Sequence, residues 1–401
     1  MLPIFLVVVV DVFALTLVLP LLAIYAESFH ASPLQATLLV SVFAACQLVA
    51  GPVLGSLSDR FGRKPLLVLS QAGTFLGLVM MAEARVLWVL YLARIIDGAT
   101  AGNLSLAQAW ISDRTAPEKR TKAFGIIGIA FGLGFFFGPW VTSLLVPWGL
   151  RAPIYFAALL SLTSIVCTLT LLPGGPPPQS PHGAADAGPA GKRPSPFAFA
   201  TYAPLLAKPI VSGLLLQFFL FAFGFSTFTS GFALFAERRF EWHGVPFGPR
   251  EVGWVFAYSG ALGILLQGGI IGRLVKRYGD AALVHAGFVA AVVGYVALGA
   301  VGSVAALFAV ATVASFGQGT LRPALTSLIS QTADAHEQGK VLGLAQSLGS
   351  VAAIFAPALG GLLLTYHALA AWAWVAAAAS LLGLLASRWG SARVARHVRA
   401  A

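Results

Sequence analysis

The sequence predicts an all-α membrane protein with twelve transmembrane helices in two pseudo-symmetric six-helix bundles. Three observations lead there: the spacing of the apolar runs, the placement of lysine and arginine, and a repeat relating the two halves. The 401 residues are 58% hydrophobic and 10% charged, with a mean hydropathy of +0.86. Soluble domains carry about 25% charged residues, so charge this sparse fits burial in lipid. The charges fall between apolar runs of about twenty residues, the length that crosses a hydrocarbon core roughly 30 Å thick.

Twelve such runs lie at 3–26, 35–57, 65–84, 86–109, 122–146 and 152–172, then at 209–236, 251–272, 281–301, 303–329, 340–365 and 368–387. The first contains Asp11, has no basic stretch before it and is too long for a cleavable signal, so it reads as a span. Between the sixth and seventh runs, 173–196 is rich in proline and glycine. Such a stretch cannot bury enough apolar surface to fold and reads as a flexible linker. The expected organisation is an N-terminal bundle over 1–172, a cytoplasmic linker over 173–208, a C-terminal bundle over 209–387 and a basic tail over 388–401.

Net charge is +11. The cations form no patch of the kind that binds nucleic acid; they sit in short loops. With the N-terminus in the cytoplasm, eighteen of the lysines and arginines fall on the cytoplasmic side, and five (Arg85, Arg151, Arg238, Arg239, Arg250) on the other. That is a positive-inside bias, with both termini cytoplasmic and an even number of spans. Cys46 and Cys167 lie singly in apolar runs and read as small packing residues.

The halves repeat. Gly55-Ser-Leu-Ser-Asp-Arg-Phe-Gly62 matches Gly272-Arg-Leu-Val-Lys-Arg-Tyr-Gly279 at an offset of 217, and Lys122 and Pro139 match Lys340 and Pro357 at an offset of 218. Each match falls at the same place in a six-helix unit. Internal repeats of this kind recur in transporters, with substrate bound near the midplane at the repeat interface.

The stretch from Gly55 to Pro65 resembles the loop 2–3 signature of the major facilitator superfamily. The drug:proton antiporter branch, and tetracycline-efflux-like proteins within it, is similar in further places. Span 1 runs Asp11-Val-Phe-Ala-Leu-Thr-Leu-Val-Leu-Pro20. Span 4 has Arg94-Ile-Ile-Asp97-Gly98, Gly102 and Asp113. Span 5 has Gly128, Gly132, Gly134, Gly138 and Pro139, like the glycine–proline motif that marks antiporters. There are departures: Trp140, Thr142 and Ser143 follow the Gly-Pro pair, and Gly77 stands where tetracycline pumps carry an acid in span 3. The resemblance implies the major facilitator fold, with spans 1, 4, 7 and 10 around a central cavity. It also implies a cytoplasmic latch of Gly55, Asp59, Arg60, Gly62, Arg63 and Asp113 that holds the halves together in the outward-facing state.

Asp11, Arg94, Asp97 and Arg322 fall inside spans, where each ionisable group costs about 2.5 to 3.5 kcal/mol to insert. At 1.5 Å rise per residue, Asp11 lies roughly 12 Å from one end of its span and Asp97 roughly 16 Å from one end of its own. Both are near the midplane and could share the cavity with Arg94. Asp11 or Asp97 is expected to carry a coupling proton, because burial disfavours a carboxylate while a neighbouring guanidinium favours it, and alternating access can change both. For Asp97 the competing reading is a permanent ion pair with Arg94 at i and i+3. Arg322, just before Pro323, reads either as a contact for an anionic substrate group or as a cation snorkelling to the interface. Asn103, Gln217 and Tyr258 are further candidates for substrate contact. Gly55 and Gly62 are expected to permit close backbone approach, and the small residues of span 5 to let a neighbouring helix pack tightly before Pro139.

The expected function is proton-coupled antiport exporting amphipathic, drug-like molecules, powered by the proton gradient without a cofactor. The expected setting is a bacterial inner membrane, with the chain acting as a monomer on a small-molecule substrate and protons. A transporter of one polar metabolite would carry more charge in its cavity. A non-transporting receptor would not need an intact loop 2–3 signature. Nothing in the chain pairs a nucleophile with a base, clusters metal ligands or forms a Walker-type phosphate loop, so neither an enzyme nor ATP drive is expected.

Overall fold

The computed structural model describes residues 2–113, 117–173, 203–332 and 338–398; for Leu2, Ser112, 117–128, Gly339 and 389–398 it describes the backbone alone. Its helices follow the predicted order. Span 1 is Leu2–Val18 followed by Leu22–Glu27, span 2 Pro33–Phe61, span 3 Arg63–Ala82, and span 4 Leu87–Ala99 followed by Asn103–Asp113. Spans 5 and 6 are Pro117–Leu145 and Ala152–Leu171. Span 7 is Pro209–Arg239, and span 8 is Pro249–Leu265, continued through a π-helical turn, Leu266–Ile270, into Ile271–Tyr278. Spans 9 to 12 are Asp280–Ala300, Val304–Thr332, Gln338–Thr365 and Leu369–Val398.

Ten of these helices are long and apolar enough to cross a membrane. Spans 1 and 4 fall short as single helices because each is broken, a correction to the uninterrupted runs read from hydropathy. At the first break Pro20 has no N–H to give and disfavours helix at Leu19, and the chain tightens through Leu21 N–H donating to the Val18 carbonyl at 3.0 Å. At the second, the hydroxyl of Ser70 in span 3 donates to the Thr100 carbonyl and accepts from Gly102 N–H at 2.8 Å. One side chain thereby supplies bonds the helix has lost, as a break within a membrane requires.

Other differences are local. Most of the linker expected over 173–208 lies outside the described residues, but Ala203–Leu206 within it forms a helical turn. The tail expected from 388 is not separate up to Val398: it continues the helix of span 12, as its alanines and arginines favour. Arg114, Lys192, Arg193 and Arg399, the side chains of Lys119, Arg120, Lys122, Arg393 and Arg396, and the surroundings of Gly128 lie outside what is described. Between spans 7 and 8, Glu241–Trp242 pairs antiparallel with Val245–Pro246. The turn uses His243 and Gly244 at φ 53° and 78°, the positive values of a tight hairpin.

The packing repeats as the sequence does. Span 1 lies on spans 5 and 6 as span 7 lies on 11 and 12, and span 3 lies on 4 and 6 as span 9 lies on 10 and 12. The halves meet where span 2 crosses 11 and span 5 crosses 8. Small residues permit both crossings: a Cβ on Gly361 would sit 2.9 Å from Leu34 Cα, and one on Gly253 2.7 Å from the Pro139 carbonyl oxygen. At this end Leu34 N–H donates to Thr365 Oγ1 at 3.1 Å, and Arg238 pairs with Glu27 at 2.5 Å. Toward the opposite, arginine-rich end, Gly55, Gly268, Gly272 and Gly343 face open space.

Candidate functional site

The membrane-buried charges sit in two different settings. In the first half, Arg94 and Asp97 are 7% and 8% exposed and joined at 2.8 Å. Thr74 of span 3 donates to the other Asp97 oxygen at 2.9 Å, and the Arg94 guanidinium lies 4.1 Å from the centroid of the Phe43 ring. Gly77 makes this possible: a Cβ there would lie 3.0 Å from the Ala93 carbonyl oxygen and 3.1 Å from Asp97 Cβ. Gly98 does the same for span 2, since its Cβ would lie 2.6 Å from the Phe43 carbonyl oxygen. The i, i+3 spacing read from sequence is therefore a formed ion pair, closed in by helices that glycine lets approach.

Asp11 stands apart from that pair. Gln71 of span 3 donates to it at 3.5 Å and to Ser164 of span 6 at 2.7 Å, while Ser161 donates to the Gln71 carbonyl at 3.3 Å. Gln71 and Thr74 are three residues apart on one helix face, so span 3 links the two acids. Gln71, Thr74, Ser161 and Ser164 are not singled out by the sequence. Their only signal is a polar group in the middle of an apolar run, and most such groups bond within their own helix.

The span 5 motif lies directly behind Asp11. A Cβ on Gly134 would sit 2.7 Å from Val12 Cγ1, and one on Gly138 2.9 Å from the Thr16 carbonyl carbon. Thr16 donates to the Gly134 carbonyl at 2.8 Å and Thr142 to the Leu17 carbonyl at 2.7 Å. Span 1 is thus clamped to span 5 one turn from the carboxylate. Pro139 lies inside an uninterrupted helix.

In the second half, Arg322 is exposed, with its guanidinium 5.9 Å from the ring centroids of both Phe131 in span 5 and Phe225 in span 7. Among the other candidates, Gln217 is enclosed in this conformation, at 3% exposed. Tyr258 has its hydroxyl 2.8 Å from Thr312 Oγ1. Asn103 opens the second segment of span 4, with its side-chain oxygen buried and unpartnered.

At the arginine-rich end, Arg63 pairs with Asp59 at 2.7 Å and with Asp113 at 2.9 Å, and donates to Ser58. These residues all belong to the first half. Arg60 lies over the Phe61 ring. Gly62 and its repeat partner Gly279 have φ values of 93° and 79°, a conformation that favours glycine. Gly55 makes no close approach in this conformation: a Cβ there would meet nothing within 4 Å.

The family model of the Major Facilitator Superfamily matches residues 4–267 and 244–400. The chain belongs to the Major Facilitator Superfamily. Among curated members, the class D tetracycline resistance protein of Salmonella ordonez is 32% identical over 80% of this chain and 78% of its own length. The class C tetracycline resistance protein of Escherichia coli is 31% identical over 87% and 86%. Multidrug resistance protein 2 of Bacillus subtilis (strain 168) is 26% identical over 86% and 84%. Among solved structures, the human organic anion transporter MFSD10 has a TM-score of 0.70 at 23% identity, covering 96% of this chain and 98% of that one. The nucleoside transporter NupG has a TM-score of 0.73 at 15% identity, covering 98% of each. The fold is accordingly the major facilitator fold, and this superfamily member is a multi-pass secondary transporter rather than an enzyme.

Proposed function

We propose that this chain exports amphipathic, drug-like molecules in exchange for protons, working as a monomer in a bacterial inner membrane with both termini in the cytoplasm. No cofactor takes part; the proton gradient supplies the energy. The six-helix units over 1–172 and 209–387 rock about the substrate, joined by the linker over 173–208. The join at the Glu27–Arg238 end corresponds to an inward-facing state. Asp59, Arg63 and Asp113, with Gly55, Arg60 and Gly62, form a one-sided latch that engages when the opposite state is adopted.

The observation that carries this reading is the setting of Asp11. It is a carboxylate in mid-span, held by a neutral amide and not by a cation, so it can gain or lose a proton without breaking an ion pair. Asp97 is compensated by Arg94 and Thr74 and responds when those partners move. The relatedness to tetracycline and multidrug resistance proteins supports export of drug-like compounds. Gly77, packed against Asp97, carries no side chain into the site, so nothing here commits the cargo to tetracycline itself.

The test is proton release and uptake of a panel of drug-like compounds in proteoliposomes with an imposed pH gradient. Gradient-driven transport is expected with wild type and absent with Asp11→Asn, while facilitated exchange without a gradient persists. If Asp11→Asn keeps full gradient-driven transport, Asp11 is not the proton carrier. If no transported compound moves protons, antiport itself is wrong.

A further inference from the structure

We infer that Arg322 and the phenylalanines beside it form an anchor for the negatively charged group of an aromatic, amphipathic substrate. The inference rests on the transport reading above for what the cavity does, and it names the class of cargo.

Among the described residues, four charged side chains lie well inside the apolar runs: Asp11, Arg94, Asp97 and Arg322. Arg94 and Asp97 neutralise one another and are buried. Asp11 is bonded to Gln71, which in turn bonds Ser164 of span 6. Arg322 has no hydrogen-bond or ion-pair partner for its guanidinium among the described residues, and it is exposed. Of the four, Arg322 is the one whose charge has neither an ion-pair nor a hydrogen-bond partner, and it stands between rings from both halves.

Aromatic rings surround that charge. Phe131 comes from the first half and Phe225 from the second, both with their rings 5.9 Å from the guanidinium carbon. Phe135 joins them, 6.4 Å from Phe131 in a stacked arrangement and 6.3 Å from Phe225 edge-on. Phe221 stacks on Phe225 at 6.0 Å. Ring faces hold a guanidinium by its charge without neutralising it, so its planar donors stay available. Those donors fit two oxygens of a carboxylate or sulfonate, while the rings fit a flat apolar body. The rings come from both halves, so a ligand seated here touches both, as cargo must in alternating access. The π-helical turn of span 8 packs on Gly319, whose Cβ would lie 2.8 Å from Leu266 Cδ2. That is one turn of span 10 before Arg322. A π turn at such a place is a common mark of a functional site.

The test uses three probes with one ring system: naphthalene-2-sulfonate, naphthalene-2-carboxamide and 2-naphthylmethylammonium. Each is titrated calorimetrically into the full chain in lipid nanodiscs without a pH gradient. The sulfonate is expected to bind about tenfold or more tighter than the amide, the size of a charge-assisted bond, and the ammonium most weakly. Arg322→Gln should bring the sulfonate down to the amide's affinity and leave the amide unchanged, which also shows that the variant is folded. Arg322→Lys, keeping charge but losing the planar fork, should fall between. An Arg322→Gln protein that keeps the sulfonate's advantage, a wild type that prefers the ammonium, or a monodisperse wild type that binds no probe overturns the assignment. Failure of antiport is distinguishable: Arg322-dependent anion preference without proton release leaves the anchor standing and removes the exchange. Proton-coupled export with unchanged affinity in Arg322→Gln does the reverse.

Discussion

The third and fourth spans of the first half and their repeat partners, spans 9 and 10, share one steric frame and differ in chemistry. At the repeat offset, Gly77 corresponds to Gly294 and Asp97 to Ala314. The contacts agree: a Cβ on Gly77 would lie 3.1 Å from Asp97 Cβ, and one on Gly294 3.0 Å from Ala314 Cβ. In the second half Arg94 and Asp97 are replaced by Ala311 and Ala314, Gln71 by the buried Phe288, and Ser70 by Gly287. Span 10 runs unbroken where span 4 is interrupted. The fold needs the glycine-mediated approach; it does not need the charges, the amide or the break. Those belong to what the first half does.

The sharpest way to break this comparison is to give the first half the second half's residues. Arg94→Ala alone leaves Asp97 charged and unpaired in the membrane, and removing one partner of a buried pair costs about 3–5 kcal/mol. Thermal unfolding in detergent should show that loss. Arg94→Ala with Asp97→Ala copies Ala311 and Ala314 and should recover most of the stability, since a buried pair contributes little net stabilisation over apolar replacement. Gradient-driven transport should not recover with it. A double variant that transports normally would reduce the pair to packing.

A smaller effect is expected at Ser70. Ser70→Ala removes the hydroxyl that serves both Thr100 and Gly102 and should cost about 1 kcal/mol, two bonds at the roughly 0.6 kcal/mol that a bond between membrane helices averages. Hydrogen exchange at Ala101 and Gly102 should rise with it. In span 10 the bond has no counterpart: Gly287 carries no hydroxyl, and Thr320 donates to its own helix at Phe316. Adding a side chain at Gly287 therefore restores no equivalent stitch. Its Cβ would lie 2.7 Å from Thr320 Oγ1.

Apolar run length and the clustering of arginine and lysine at run ends made the order of the spans legible in the sequence. The repeat in loops 2–3 and 8–9 made the pseudo-symmetry legible. The breaks were not, because Leu19–Leu21 and Thr100–Gly102 remain apolar or small and keep the hydropathy high. The partner that stabilises the second break lies thirty residues away in span 3. Arg94 and Asp97 announced their pairing by spacing along one helix. Gln71, Thr74 and Ser164 meet their partners across helices, a relation that periodicity does not carry. Gln217 has the residue type of a ligand contact, but its place in the packing encloses it.

The smallest difference should come from testing the shared frame itself. Gly77→Ala and Gly294→Ala both push a methyl group into a neighbour at 3.0 Å. Overpacking of this size costs about 1–3 kcal/mol, and replacing a helical glycine by alanine returns about 1 kcal/mol. Each variant should therefore lose no more than about 2 kcal/mol, and the two should lose the same within error if the halves are steric equivalents. Transport should separate them. At Gly294 the displaced group is Ala314, whereas at Gly77 it is the backbone that positions Asp97 for Thr74 and Arg94. Equal stability with transport impaired in Gly77→Ala alone is the expected result. Equal impairment of transport would mean that helix approach, not the placement of Asp97, is what Gly77 provides.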